Sequence, residues 1–177
     1  MKISRELVSE ALNKKEAIKF SNVFTNDYSW YNFINFINHA IKQNNPNAEK
    51  TSVKETIGYI NFWQKLTMTL DNITNEYFPK LEEKNNFLQS FIDHRAIGKF
   101  GAVSFTDSEP TTGKHNDPVN VMYWNCLGSV QWNVYKESEE QSFILSPGDV
   151  ILVPAGMLHE VISLEPRAAI SFMFEAK

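Results

Sequence analysis

The sequence predicts an α+β fold with a mainly β core: a small barrel or sandwich with N-terminal helices packed outside it. Three observations lead there. The hydrophobic period changes from helical to alternating near Ala96. From there to the end, short apolar runs are separated by turn residues, at Glu109-Pro110, Gly128, Pro147-Gly148, Pro154-Ala155-Gly156 and Glu165-Pro166. Helices followed by a block of strands imply segregated elements around one core rather than alternating βα units. The 177 residues, 42% of them hydrophobic and including 13 Phe, suffice for one compact domain. It is expected over 1–177, with a mostly helical N-terminal segment over 1–95 and a barrel core over 96–177.

The N-terminal elements follow from spacing. Leu7, Val8, Ala11 and Leu12 suit a helix over 3–13, and Lys15 to Phe24, with Ala17-Ile18-Lys19-Phe20 and Val23-Phe24, a short strand. Ser29 reads as an N-cap, followed by Trp30, Phe33, Ile34, Ile37, Ala40 and Ile41 on one helical face, with Asn44-Asn45-Pro46-Asn47 as the stop. A second long helix is expected over 52–73, opened by a Ser52-x-x-Glu55 capping box. A third is expected over 81–92, with Leu81, Phe87, Leu88 and Phe91 inward. Strands are then expected over 96–106, 115–124, 129–135, 142–145, 150–153, 157–164 and 167–174.

Bulk properties narrow the function. A net charge of -4 argues against a broad electrostatic nucleic-acid surface. The lone cysteine, Cys126, excludes an intramolecular disulfide and suits a reducing compartment. The first residues lack the apolar core of a secretory signal, and no run reaches membrane-spanning length, so a cytoplasmic protein is expected.

Chemistry concentrates in His115, Asp117 and His159. In a strand, residues two apart face the same side, so His115 and Asp117 can reach one point, and a second imidazole from a distant strand completes two His and one carboxylate. That set leaves metal positions open and suits non-haem Fe(II). The bland alternatives are a surface strand with a hydrogen-bonded His/Asp pair and a hairpin whose His159 merely packs. Around His159 the spacing is more specific: Gly148, five residues, Pro154-x-Gly156, two residues, His159. Pro147-Gly148-Asp149 makes a tight turn, Val150 to Val153 a buried strand, and Pro154-Ala155-Gly156 turns the chain back.

These residues resemble the second sequence motif of the cupin superfamily, with Ser163 where that family commonly has Asn. With Gly113-Lys114-His115-Asn116-Asp117, Gly128 to Val134, Leu145 to Pro154, His159-Glu160-Val161 and Ala169 to Phe172, the chain resembles the JmjC and cupin-like Fe(II)/2-oxoglutarate oxygenases. The resemblance covers about 96–174 and is similar to protein hydroxylases among them. It implies a double-stranded β-helix (cupin/jelly-roll) barrel, Fe(II) on His115, Asp117 and His159, and 2-oxoglutarate and O2 as cosubstrates. The primary substrate would be a small molecule or a protein side chain, and a homodimer through N-terminal elements is a further expectation. Relatives hold the distal carboxylate of 2-oxoglutarate with Lys or Arg two residues after the Gly128 equivalent; here Val130 stands there. Arg167, eight residues after His159, is the expected replacement, its fork suited to a carboxylate, or else a solvated strand-end charge; Lys99 and Lys114 are weaker candidates.

By the same resemblance Thr112 would contact that carboxylate and Ser171 would lie near the metal-binding end of the cosubstrate. Tyr123, sharing parity with His115 and Asp117, is read as an inward phenol or a barrel-filling aromatic. Trp124, Trp132 and Phe143 are expected between barrel and helices, and His39 and His94 outside the site. Two other readings stay open: a cupin dioxygenase or isomerase that does not use 2-oxoglutarate, and a non-catalytic ligand-binding or sensor domain.

Overall fold

Two antiparallel sheets face each other because alternate residues of their strands are apolar on the facing side. The computed structural model describes residues 1–44, 56–57, 60–63, 66–106, 109–110, 112–136 and 139–176. In chain order the elements are α1 (Arg5–Lys14), β1 (Ile18–Phe20), α2 (Trp30–Asn44), β2 (Thr56–Ile57), β3 (Ile60–Trp63), β4 (Thr67–Leu70), α3 (Leu81–Gln89) and β5 (Ala96–Ser104). Then follow β6 (Glu109–Pro110), β7 (Asn120–Leu127), β8 (Val130–Lys136), β9 (Glu139–Leu145), β10 (Val150–Val153), β11 (Leu158–Ser163) and β12 (Arg167–Phe174). The large sheet has the order β1-β10-β7-β12-β5-β4-β3-β2, and the small sheet β6-β11-β8-β9.

Strands β7 and β10 of the large sheet are buried on both faces, and their sequence shows why. On β7, Met122, Trp124 and Cys126 join one apolar cluster with the helices, while Val121 and Tyr123 join a second cluster between the sheets. On β10, Val150 and Leu152 face the helices, and Ile151 and Val153 face the small sheet. Such strands read as continuous hydrophobic runs instead of simple alternation.

Helix boundaries follow capping chemistry. Ser4 Oγ accepts from Leu7 N at the start of α1, and Asn32 Oδ1 accepts from Ser29 N ahead of α2, the return arm of a capping box. The buried stripe of α2 runs through Phe33, Phe36 and Ala40, with Ile34 45% exposed, so it is rotated from the expected face. Helix α3 stops at Gln89, short of the expected Ile92. Leu81 and Leu88 are buried, but Phe87 is 42% exposed and lies edge-on to Phe24 and Phe91 at 5.6 and 5.0 Å.

The expected helix over 52–73 is overturned: its described residues contain β2, β3 and β4 and no helix, while Ser52 and Glu55 of the expected capping box lie outside the described residues. Thr67-Met68-Thr69-Leu70 alternates, and β4 pairs with β5 from Thr67↔Ser104 to Leu70↔Gly101. A free ladder edge on β5 and β-branched threonines outweigh a local spacing that also suits a helix. The expected strand from His115 is shorter too, since β7 begins only at Asn120.

The Pro147-Gly148-Asp149 turn fastens the N-terminal segment to the barrel. Val23 N and Phe24 N donate to Gly148 O, and Gly148 has φ +94°. A Cβ there would lie 2.5 Å from Phe24 O, so the backbone approach itself selects glycine. Asp149, 4% exposed, accepts from Asn22 N and Ser146 N, each at 3.0 Å, and pairs with Lys19 Nζ at 2.8 Å. Burial pushes its carboxyl up, but the Lys19 hydrogen bond and the two amides outweigh that and hold it below the ordinary value. Its stabilisation is therefore complete above the unfolded carboxylate value of about 4 and is lost as pH falls through the lower native one. Asp149→Asn should cost about 2 kcal/mol in urea unfolding at neutral pH, with the difference from the parent shrinking on acidification below about pH 4. A difference that instead grows on acidification would contradict this account.

Candidate metal centre

Two crossovers between the sheets meet at one end of the barrel. Residues 112–119 lead from β6 in the small sheet to β7 in the large one, and residues 154–157 lead back from β10 to β11. They are joined by a reciprocal backbone pair: His115 N donates to His159 O at 2.9 Å, and His159 N to His115 O at 2.8 Å. Asp117 lies beyond this bridge, outside any strand, and its carbonyl accepts from Gly156 N at 2.7 Å.

The side chains converge from this frame. Ligand atoms of His115, Asp117 and His159 all lie within 4.8 Å of one another, the one such cluster of His, Cys, Asp or Glu among the described residues. His115 Nδ1 lies 2.9 Å from Gly113 O, and His159 Nδ1 lies 2.9 Å from Met157 O. A carbonyl only accepts, so each Nδ1 carries a proton and Nε2 is left as the nitrogen able to offer a lone pair. Burial pushes the His159 imidazolium down, reinforced by His115 and opposed by the Met157 carbonyl and Asp117; the net shift is downward. His159 Nε2 and Asp117 Oδ2 are 3.6 Å apart. With the imidazole neutral, two acceptors face each other there, an arrangement that a bound cation satisfies. The donor set therefore fits a metal.

A cavity of about 330 Å³ opens beside these three residues, and Thr112, Tyr123, Arg167 and Ser171 also line it. Arg167 is 2% exposed, not a solvated strand-end charge; its Nη1 donates to Tyr123 Oη at 2.5 Å and its Nε to Ser163 Oγ at 2.9 Å. Burial raises the Tyr123 phenol to about 12, with Arg167 working against it, so the phenol stays protonated. Trp132 lies between the sheets, stacked on His159 at 5.1 Å and edge-on to Tyr123 at 4.9 Å, instead of between barrel and helices. Phe143 likewise packs on the inter-sheet cluster, whereas Trp124 faces the helices as expected.

Other candidates fall away from the cavity. Lys99 pairs with Glu82 at 2.7 Å, Lys114 sits over the Tyr135 ring at 4.0 Å, and Val130 is fully buried between the sheets. His39 packs on Tyr77 and His94 contacts Asn120, both outside the cluster. The sequence reading missed Thr67 and Thr69 of β4 and Phe100 and Ala102 of β5, which also line the cavity. The Thr67-Met68-Thr69-Leu70 alternation was the available signal for the two threonines.

No family model and no curated protein sequence matches the chain. Solved structures do. The ribosomal oxygenase YcfD from Escherichia coli, in complex with cobalt and succinic acid, superposes with TM-score 0.68 at 17% identity, covering 96% of this chain and 51% of that one. The same protein with cobalt and 2-oxoglutarate gives 0.67 at 17% identity, again over 96% and 51%. The non-heme alpha-ketoglutarate-dependent epimerase SnoN gives 0.63 at 12% identity, covering 97% of this chain and 82% of that one. This chain thus spans about half the length of the YcfD chains. The expected cupin/JmjC-like double-stranded β-helix is borne out as a fold. Tyr123→Phe, which removes the acceptor of the Arg167 Nη1–H bond while keeping the ring, should lower unfolding stability by about 2 kcal/mol; an unchanged denaturation midpoint would show that bond to be dispensable.

Proposed function

We propose that the chain is a non-haem Fe(II)- and 2-oxoglutarate-dependent oxygenase, a hydroxylase whose primary substrate is a small molecule or a protein side chain. The observation that carries this is one cavity with a His/Asp/His donor set at its end and a buried, hydrogen-bonded arginine in its wall. In this reading His115, Asp117 and His159 hold the metal. When bound, the metal supplies O2 activation, the chemistry no side chain here can perform. The protein's contribution is geometric and electrostatic. Gly113 and Met157 carbonyls fix the histidine tautomers, while Arg167, oriented by Tyr123 and Ser163, offers a cation to the distal carboxylate of 2-oxoglutarate. Thr112 and Ser171 add hydroxyls on the same wall. Cobalt and 2-oxoglutarate in the similarly folded YcfD, and the cofactor of SnoN, support this assignment.

The chain is read as one unit over 1–177, because α1, α2 and α3 share an apolar core with the large sheet. A cytoplasmic location is proposed on the single buried free thiol, Cys126. No described helix is long and apolar enough to cross a membrane. A homodimer is tested by light scattering.

Val130 favours one second reading, a cupin dioxygenase or isomerase without 2-oxoglutarate, because the family's usual cation is absent from that fully buried position. Anaerobic Fe(II) titrated with 2-oxoglutarate separates the two. A weak visible charge-transfer band that saturates, and is lost in His115→Ala, is expected; metal binding without the band would favour the second reading. No metal binding at all would leave a recognition domain. Arg167→Ala should weaken 2-oxoglutarate roughly tenfold to a hundredfold with metal affinity nearly unchanged, and equal 2-oxoglutarate affinity would remove Arg167 from the account. His159→Ala should abolish metal binding and leave the far-ultraviolet circular dichroism intact.

A further inference from the structure

Asp117 belongs to no strand ladder, so something else must set its distance from His159. The Pro154-Ala155-Gly156 turn grips the Asp117–Asn120 segment with two successive amides. Gly156 N donates to Asp117 O at 2.7 Å, and Ala155 N donates to Asn120 Oδ1 at 2.9 Å. One residue on, Met157 O accepts a hydrogen bond from His159 Nδ1. A single short turn therefore touches both candidate ligands, one through its backbone and the other through its ring.

Asn120 is what holds that turn. Its side chain is 3% exposed at the start of β7 and lies on the helix side of the large sheet, sharing parity with Met122 and Trp124. Its Nδ2 donates to Glu175 O at 2.7 Å and to His94 Nδ1 at 2.8 Å, so both amide hydrogens and the oxygen are used. The position demands one acceptor and two donors at a fixed short reach. Asp lacks the donors, Ser is too short to span three partners, and Gln carries an extra methylene.

We infer that Asn120 is a positioning residue for the metal centre, clamping the 154–157 turn so that Asp117 and His159 stay at coordinating distance. The inference rests on the metal reading above. Outer partners of this kind typically change metal affinity by tenfold to a hundredfold. The readout is Co(II) alone, titrated into the full chain, with its visible d–d spectrum and dissociation constant recorded beside the melting temperature.

Asn120→Ala is expected to weaken Co(II) roughly tenfold or more and to alter the d–d envelope. Asn120→Asp keeps an oxygen for Ala155 N but loses both donors; its Co(II) affinity should be restored toward the parent's even though its melting temperature falls. A purely structural role would lower the melting temperature of both variants and leave the spectrum and affinity alike in each, overturning the proposal. Parent-like Co(II) binding by Asn120→Ala does the same. Should Asn120→Ala fail to fold, Asn120→Ser, too short to hold Ala155 N, takes its place: weaker Co(II) binding with an altered spectrum supports the clamp, and parent-like binding overturns it. Failure of the parent chain itself to bind Co(II) would instead sink the metal reading, and this inference with it.

Discussion

The pair of backbone hydrogen bonds between His115 and His159 is the constraint on which the site depends. It is a reciprocal antiparallel pair with no ladder on the His115 side, formed between a crossover and the first turn of β11. Directly paired residues in such an arrangement project to the same face. Two histidines far apart in sequence are thereby fixed with ring centroids 4.4 Å apart. The crossover carrying His115 is free of further ladder bonds, which lets Asp117 turn inward where a regular strand would have continued away from β11.

This explains how the sequence reading grouped residues that the fold does bring together, by a partly wrong route. The spacing of Gly148, Pro154, Gly156 and His159 is legible because each glycine and proline answers a local backbone demand: φ of +94° at Gly148 and +78° at Gly156, and a turn closed by Met157 N to Pro154 O. His115 and Asp117 were grouped by the period of a strand, yet they share a crossover, and their convergence is a tertiary fact. Tyr123, placed by the same parity, does line the cavity because β7 itself is regular.

The strands β2 to β4 were not legible because Ile57, Ile60, Trp63, Leu66 and Leu70 recur at intervals that a helix also satisfies. What selects the strand is the partner: Thr69 meets Ala102 and Leu70 meets Gly101 on β5, and none of this is visible within the segment. The outcome matters for the cavity. One face of β4 gives Leu70 to the core shared with the helices, and the other gives Thr67 and Thr69 to the cavity wall. The misread stretch thus helps to build the site.

Three departures from the pattern the sequence resembles, Val130, Ser163 and Arg167, become a single arrangement in the fold. Val130 on β8 is paired directly with Ser163 on β11. Ser163 accepts from Arg167 Nε, and Tyr123 Oη accepts from Nη1. The guanidinium from β12 is therefore anchored beside the place a cation at position 130 would occupy. Two buried cations so close would repel strongly at the low dielectric of the interior. A compact apolar residue at 130 leaves room for the arginine, and a short hydroxyl at 163 accepts its proton without filling the cavity. On this geometry the buried cation on the cavity wall comes from the large sheet, at Arg167, and position 130 on the small sheet is apolar. The cation on the cavity wall and the two hydroxyls that hold it, on Tyr123 and Ser163, form one arrangement.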